Sequence, residues 1–372
     1  MGYMASIWQQ PLPAIYSKLS DAELHLRIED ARRKLGTKLL ILGHHYQQEE
    51  VVRFADFAGD SFELSRNAAA QTDAEFVVFC GVHFMAESAD ILTKPEVKVI
   101  LPDLGAGCSM ADMANLEQTL ECWGQLEESC PHQKIVPITY VNSTAAIKAF
   151  VGEHGGAVCT SSNARKVLEW ALTQGDARPV KVLFFPDQHL GRNTAYAMGY
   201  PLNSMVVWDP AKNLGGNASQ TLHDARFVLW KGHCSVHMLF RPEHIDELRQ
   251  KYPQMKVIVH PECQWEVVQK ADMSGSTALI VKTIEAAPAG SQWAIGTEVH
   301  LVDRLARKHP DKKIIILSEC QCLCTTMFRI DLQHLCWVLD NLLQGNVVNQ
   351  IKVDDETRKW ATVALERMLA IH

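Results

Sequence analysis

The sequence lacks the long apolar runs and the excess of basic residues that mark several classes of protein. No stretch of the 372 residues approaches the roughly 18 consecutive apolar residues that a membrane-spanning helix requires. The amino-terminal residues have neither the basic nor the apolar region of a secretory signal, so we expect none. Lys and Arg number 36 against 43 Asp and Glu, a formal net charge of −7 that argues against binding to nucleic acid or an anionic membrane. We therefore expect a cytoplasmic protein that acts on small molecules.

Several common motifs are absent as well. No G-x-G-x-x-G follows a strand, and neither a P-loop, a G-x-S-x-G elbow nor an H-E-x-x-H helix occurs. The eleven cysteines form neither the C-x₂-C pairs of a zinc ribbon nor a ferredoxin run. Their odd number, in a chain without a secretion signal, is typical of free thiols in a reducing compartment, with metal ligands hidden among them.

Apolar strands alternate with segments of helical length along the whole chain. Ser20 and Glu23 form a capping box that opens a helix, and Gly36 closes it. Strands that are apolar on both faces and separated by helices indicate parallel sheets covered by helices. The predicted strands include residues 38–46, 76–80, 98–101, 135–140, 180–185, 257–260, 293–295 and 313–317, and two helices are predicted at about 331–344 and 355–370.

This alternation contains a repeat of three rounds, each of which ends near a cysteine. The fold class that we predict is α/β, with three similar three-layer αβα domains that have short parallel sheets around a pseudo-threefold axis. The predicted domains are 18–107 (completed by C-terminal helices within 325–372), 108–233 and 234–324.

Polar residues stand where the predicted strands end, which is where parallel α/β sheets bind ligands. Strand ends are wet in any case, but the recurrence in three rounds favours a binding site. Two hydroxyl-rich turns, Thr160–Asn163 and Ser274–Thr277, precede helices and could either cap them or bind anions. Their equivalent positions in the repeat favour an anionic substrate with more than one charged group. The strand-end residues are His44, His45, Tyr46, Tyr140, Asn142, His260 and Glu262.

Three cysteines stand out from the rest. Cys108 lies in a Gly-Cys-Ser loop and Cys234 in a Gly-His-Cys-Ser-Val-His turn. Spacing alone does not join them to Cys324, but equivalent loops around a threefold axis would meet at one point. Three converging thiolates fit a cluster with one iron that the protein does not ligate. Cys80, Cys122, Cys130, Cys159 and Cys336 are expected to be core residues.

The chain resembles the quinolinate synthase (NadA) family of NAD biosynthesis. The resemblance implies three αβα domains around a pseudo-threefold axis, with a 4Fe–4S cluster held by one cysteine from each. It also implies the condensation of iminoaspartate with dihydroxyacetone phosphate to quinolinate, with release of phosphate and water. The motifs that carry it, over residues 43 to about 327, are GHHYQ, GDSFELSR, GVHFMAESA, GAGCSM, YVNSTAA, TSSNA, PDQHLGR, WKGHCSVH, HPEC, GST and CTTM.

The resemblance assigns Cys108, Cys234 and Cys324 as cluster ligands. Cys324 is preferred over Cys320 and Cys322 because the sequence TTMFRIDL follows it, as in the family. Whether Cys320 and Cys322 form a redox pair is left open, since their spacing is not C-x-x-C. An L-aspartate oxidase or dehydrogenase would supply the unstable imine.

For the reaction itself, we expect Glu262 and His237 to move protons and Tyr46 to cover the pocket and donate a hydrogen bond. Two other functions fit part of the pattern: an aconitase-like hydro-lyase, and an iron–sulfur redox sensor that is no enzyme. The residues expected to hold substrate carboxylates and phosphate are His44, Ser61, Tyr140, Asn142, Ser161, His260, Ser276 and Thr277.

Overall fold

A computed structural model describes residues 9–70, 73–318 and 323–371. Cys320 and Cys322 lie outside the described residues. The contacts divide the chain into two compact units. The first consists of the described residues up to Cys108 together with Leu323–Val353, and the second consists of the described residues from Ser109 to Ser318 together with those from Asp354 onward. Within the described residues, no helix combines the length and the apolar character needed to cross a bilayer.

The chain alternates between strands and helices, as the sequence predicts. The strands are β1 Leu39–His44, β2 Phe57–Gly59, β3 Phe76–Cys80, β4 Lys98–Ile100, β5 Lys134–Tyr140, β6 Ala157–Cys159, β7 Val180–Phe185, β8 Met205–Trp208, β9 Phe227–Trp230, β10 Lys256–Val259, β11 Met273–Ser274, β12 Gln292–Gly296, β13 Lys313–Ile316 and β14 Gln350–Ile351. The helices are α1 Asp21–Leu35, α2 Glu49–Val52, α3 Ser61–Ala70, α4 His83–Leu92, α5 Ser109–Asp112, α6 Leu116–Ser129, α7 Ala145–Glu153, α8 Ala164–Leu172, α9 Gln188–Ala197, α10 Ser219–Asp224, α11 Pro242–Lys251, α12 Trp265–Lys270, α13 Thr277–Ala286, α14 Val299–Lys308, α15 Leu332–Leu343 and α16 Asp355–Ala370.

The first unit contains one sheet, with strand order β14-β4-β3-β1-β2. β1 to β4 are parallel, and all six residues of β1 are buried, as expected for a strand covered on both faces. β14 pairs with β4 in the antiparallel direction. The predicted capping box opens α1: the Ser20 Oγ accepts the Glu23 N–H, and the Glu23 carboxylate accepts the Ser20 N–H.

The second unit contains two parallel sheets, with orders β6-β5-β7-β9-β8 and β11-β10-β12-β13. β7 is buried throughout, including Lys181. The Lys181 ammonium donates hydrogen bonds to the carbonyl oxygens of Leu222 and Ala225, which satisfy it inside the core. Burial lowers the pKa of this lysine.

The α/β fold class is therefore confirmed: three sheets of short, mostly parallel strands are flanked by helices. The boundary between a second and a third domain near residue 233 stays a prediction.

One feature of the predicted domain organisation differs from the structure. Both C-terminal helices were expected to complete the first domain, but only α15 lies in the first unit, where it packs on α1. α16 packs on α7 and β6 of the second unit. Gly152 in α7 allows this close approach, since a Cβ there would lie 1.9 Å from the carbonyl oxygen of Trp360 in α16. Arg367 strengthens the contact by donating a hydrogen bond to the Gly156 carbonyl at 2.6 Å.

Candidate active site

A buried carboxylate between two imidazoles forms the centre of the site in the second unit. Glu262 follows β10, is 2% exposed, and has its Oε2 3.0 Å from the His260 Nδ1 and 3.2 Å from the His237 Nδ1. The two imidazole rings stack with their centroids 4.5 Å apart. The structure thus brings together three residues that sequence reasoning selected from separate motifs.

Each imidazole is also oriented from its other side. The Nε2 of His237 lies 3.2 Å from the Thr297 Oγ1, and the Nε2 of His260 lies 3.3 Å from the Ser161 Oγ. The backbone N–H of Glu262 also lies 3.3 Å from the His260 Nδ1, so the ring is held by the backbone of the same turn. The structure therefore places Ser161 within hydrogen-bonding distance of the His260 ring.

Burial alone would raise the pKa of Glu262, but the charges and hydrogen bonds of His237 and His260 outweigh burial and lower it. The carboxyl group is therefore anionic at neutral pH. Asp187 is fully buried nearby, and its pKa is raised, first by burial and then by the negative charge of Glu262. The pKa values of these two buried carboxyl groups are thus shifted in opposite directions, down for Glu262 and up for Asp187.

Asp187 and Asn193 support the two loops of this site from α9. The Asp187 Oδ1 caps α9 by accepting the backbone N–H of His189 at 2.6 Å, and its carboxyl group also accepts a hydrogen bond from the backbone of Cys234. The Asn193 side-chain amide donates to the carbonyl oxygens of Pro261 and Cys263, both at 2.8 Å. These carbonyls flank Glu262, so Asn193 fixes the turn that carries the carboxylate.

The sulfur of Cys234 belongs to the same cluster of side chains. The Cys234 Sγ, a ring nitrogen of His237 and a carboxylate oxygen of Glu262 all lie within 4.8 Å of one another. Cys234 is half-buried, whereas His237 and Glu262 are buried. A thiol, an imidazole and a carboxylate at this separation can bind one metal ion.

Other predicted binding residues lie at strand ends of the same unit. Tyr140 ends β5 and is buried, and Asn142 follows it with an Oδ1 that is buried and has no hydrogen-bond partner among the described residues. Ser276 and Thr277 open α13 directly after β11, the parallel neighbour of β10, so they lie at the same sheet edge as His260. The Ser276 Oγ accepts the Leu279 N–H at 3.2 Å, so the capping role that sequence left open for this turn is present.

In the first unit, His44 ends β1 and contacts Tyr46. The two rings meet edge to face with centroids 4.8 Å apart, and the Tyr46 N–H donates to the His44 Nδ1 at 3.1 Å. Ser61 begins α3 after β2, which is the parallel neighbour of β1. The three residues therefore share the carboxyl edge of one sheet.

The described cysteines fall into two groups. Cys80, Cys122, Cys130, Cys159, Cys263 and Cys336 are buried, whereas Cys108, Cys234 and Cys324 are half-buried. Burial raises the pKa of the Cys80 thiol to about 12, which makes it an inert core residue. The half-buried cysteines lie in loops, and the Cys324 Sγ is 3.6 Å from the Thr326 Oγ1.

Comparison with known proteins agrees with the family resemblance of the sequence motifs, over nearly the whole chain. The family described as quinolinate synthetase A protein (NadA) matches residues 26–370. This chain belongs to that family. Quinolinate synthase of Acidobacterium capsulatum is 59% identical over 359 residues, which cover 96% of this chain and 95% of that protein. The quinolinate synthases of Rhodopirellula baltica and Anoxybacillus flavithermus are 54% and 55% identical; each alignment covers 96% of this chain, with 93% and 96% of the respective relative.

Three residues of this NadA chain were missed as site residues by sequence reasoning. Asp187 and Asn193 stand in the PDQHLGRN segment, part of which was recognised as a motif, and Thr297 stands in the IGTEVH segment after β12. Their position at or beyond the end of a buried strand was an available signal. The partners of Asn193 and Thr297 lie 60 to 70 residues away in sequence, and no local pattern reveals such contacts.

Proposed function

We propose that this chain is a quinolinate synthase, which condenses iminoaspartate with dihydroxyacetone phosphate to quinolinate and releases phosphate and water, in NAD biosynthesis. The observation that carries the proposal is the buried Glu262 between His237 and His260, beside the sulfur of Cys234, in a chain of the NadA family. An L-aspartate oxidase or dehydrogenase would supply the imine. A cytoplasmic location is part of the proposal, because the nine described cysteines are all free, which suits a reducing compartment.

The proposed cofactor is a 4Fe–4S cluster with Cys108, Cys234 and Cys324 as ligands. Thiolates are the usual ligands of such clusters, and these three are the cysteines of the described chain that are not buried. The remaining described cysteines lie in the core. Burial raises the thiol pKa of Cys80, Cys122, Cys130, Cys159 and Cys336 and so keeps these thiols protonated. When bound, a cluster with three cysteine ligands supplies an iron with an open position, which acts as a Lewis acid on substrate oxygen or nitrogen.

The protein's own residues would bind the anionic substrates. The substrates carry carboxylates and a phosphate, which hydroxyl groups, imidazoles and helix amino-termini bind well. Ser161 and His260 are already hydrogen-bonded to one another, and Asn142 has a buried oxygen with no partner among the described residues. Tyr46, half-buried against His44, is proposed to cover the pocket. The full proposed binding set is His44, Ser61, Tyr140, Asn142, Ser161, His260, Ser276 and Thr277.

Proton transfer is assigned to Glu262 and His237. Glu262 is a carboxylate at neutral pH, which is the form that can accept a proton from substrate carbon or nitrogen. His237 lies 3.2 Å away and can share the proton, while Thr297 holds its ring. Burial of all these groups excludes water, which strengthens their electrostatic interactions with the developing charge.

The decisive experiment is anaerobic reconstitution with iron and sulfide, followed by an assay for quinolinate. Glu262→Gln should keep the visible cluster absorbance and lose at least about 100-fold in turnover. Cys108→Ala should lose both. Normal turnover of the Glu262→Gln variant would remove this residue from the mechanism. Dehydration of a single hydroxy acid without a phosphorylated substrate would support an aconitase-like hydro-lyase instead, and redox cycling without any product would support a sensor.

A further inference from the structure

The side chains of Cys234, His237 and Glu262 lie together within the second unit and offer three ligand atoms to a metal ion. Their three ligand atoms lie within 4.8 Å of one another, and the His237 Nδ1 is 3.2 Å from the Glu262 Oε2. The 3.2 Å distance matches the separation of neighbouring ligands around a tetrahedral ion with bonds of about 2.0 to 2.3 Å. The two other proposed cluster cysteines, Cys108 and Cys324, are in the first unit and are not needed for this site.

The surroundings of the three residues favour a cation. The Thr297 Oγ1 contacts the His237 Nε2, so a proton on that nitrogen leaves Nδ1 as the ligand atom facing Glu262. The Glu262 Oε1 is buried without a hydrogen-bond partner among the described residues, a costly arrangement that a bound cation would relieve. A hydrogen bond such as that between Thr297 and the His237 Nε2 orients the imidazole and strengthens it as a metal ligand.

The donor set selects zinc among common divalent ions. Thiolate and imidazole ligands suit Zn²⁺, whereas Mg²⁺ and Ca²⁺ prefer sites made of oxygen ligands. Three protein ligands leave a fourth position for water, as in zinc sites that are open to solvent. The half-buried Cys234 gives an ion a path of entry.

We propose that the cluster-free chain binds one Zn²⁺ through Cys234, His237 and Glu262, and that this ion and the cluster exclude one another. Binding releases the thiol proton of Cys234 to solvent, and no electron is transferred. The mutual exclusion rests on the proposed function, because Cys234 is also a proposed cluster ligand. Zinc binding itself does not rest on it.

The first test measures zinc affinity of the full-length, cluster-free chain by competition with a chromophoric chelator. We expect one equivalent to bind, with affinity reduced at least about 10-fold in His237→Ala and in Glu262→Gln, and also in Thr297→Val, which leaves all ligands in place. Cys108→Ser is the matched control and should bind zinc as the wild type does. Equal affinity in the wild type and the ligand variants, or loss of zinc in Cys108→Ser, would overturn the site. Cobalt added in place of zinc should give the intense visible absorption of four-coordinate Co²⁺, which confirms a folded site in each variant that binds.

The second test addresses exclusion. Zinc-loaded chain supplied with iron and sulfide under anaerobic conditions should form less than half as much cluster as the zinc-free chain, and a chelator should restore formation. Full cluster formation with zinc retained would disprove exclusion while leaving the zinc site intact. Failure of the zinc site, by contrast, is detected in the first test without any assay for quinolinate, so the two proposals fail separately.

Discussion

The guanidinium Nε of Arg329 lies 2.9 Å from the Oδ2 of Asp103, and this ion pair joins two cysteine-bearing loops of the first unit. Asp103 is 2% exposed and also accepts the Gly105 N–H, three residues before Cys108. Arg329 lies five residues after Cys324. Gly105 has no side chain to obstruct the contact, since a Cβ there would lie 2.8 Å from the Arg329 Nε. The pair therefore fixes the loop of Cys108 relative to the loop of Cys324.

We predict that Arg329→Gln weakens cluster retention more than it weakens the fold. The arginine side chain is about half exposed, so the ion pair itself contributes no more than about 1 kcal/mol to stability. Iron and sulfide per chain after desalting should fall at least about twofold, with a change in Tm of only a few degrees. Arg165→Gln removes a comparable pair, Arg165 with Glu169 at 3.0 Å, and should leave the iron content unchanged. Equal iron content in the two variants would contradict the positioning role.

Asn193 is predicted to act on turnover through Glu262. Asn193→Ala removes two hydrogen bonds of 2.8 Å that hold the carbonyls on either side of the carboxylate. At roughly 1 kcal/mol for each bond, kcat should fall about 10-fold or more, with iron content unchanged. Asn341→Ala is the control, because it removes a 2.8 Å bond to the Trp337 carbonyl inside α15. Wild-type kcat in Asn193→Ala would show that the turn holds Glu262 without this clamp.

Much of the fold could be predicted from the sequence because its strongest signals are local. β3 and β7 match the predicted residues, as does α16, since each is a continuous apolar run or a periodic segment with clear ends. β2 and β14 were not predicted. They contain three and two residues, too few for any periodicity, and hydrogen bonds to a neighbouring strand alone define them.

Contacts at the site and between elements also differ in whether a local sequence signal predicts them. His260 and Glu262 were found because a buried strand ends directly before them. The packing partner of α16 could not be predicted, because the amphipathic pattern of a helix shows that one face is buried but not which element covers it. Gly152 is informative only once Trp360 is known to face it. Asn193 likewise donates hydrogen bonds to backbone carbonyl groups, and because every residue has a carbonyl group, the sequence does not indicate which ones are bound.

His189 predicts how stability depends on pH. Burial, followed by the charge of Arg192, lowers the pKa of His189 to about 4 from an ordinary value of 6.5. The neutral ring therefore stabilises the fold above pH 6.5, and that contribution is lost as the pH falls from 6.5 towards 4. Between pH 7 and 5.5 the loss should be about 1 kcal/mol. Urea unfolding of His189→Gln should show a correspondingly smaller loss over this interval, and equal losses in the two proteins would contradict the assignment.

Gly152→Ala is predicted to destabilise the second unit by forcing α7 and α16 apart. The new Cβ would lie 1.9 Å from the carbonyl oxygen of Trp360, and a backbone atom in a packed helix cannot rotate away. Overpacking of this kind costs about 1–3 kcal/mol, measurable as a lower urea midpoint. Gly124→Ala is the matched control, since it lies within α6 with no neighbouring atom inside 4 Å of the added Cβ. There the better helix propensity of alanine should raise stability by up to about 1 kcal/mol, so opposite signs in the two variants attribute the loss at Gly152 to the contact with α16.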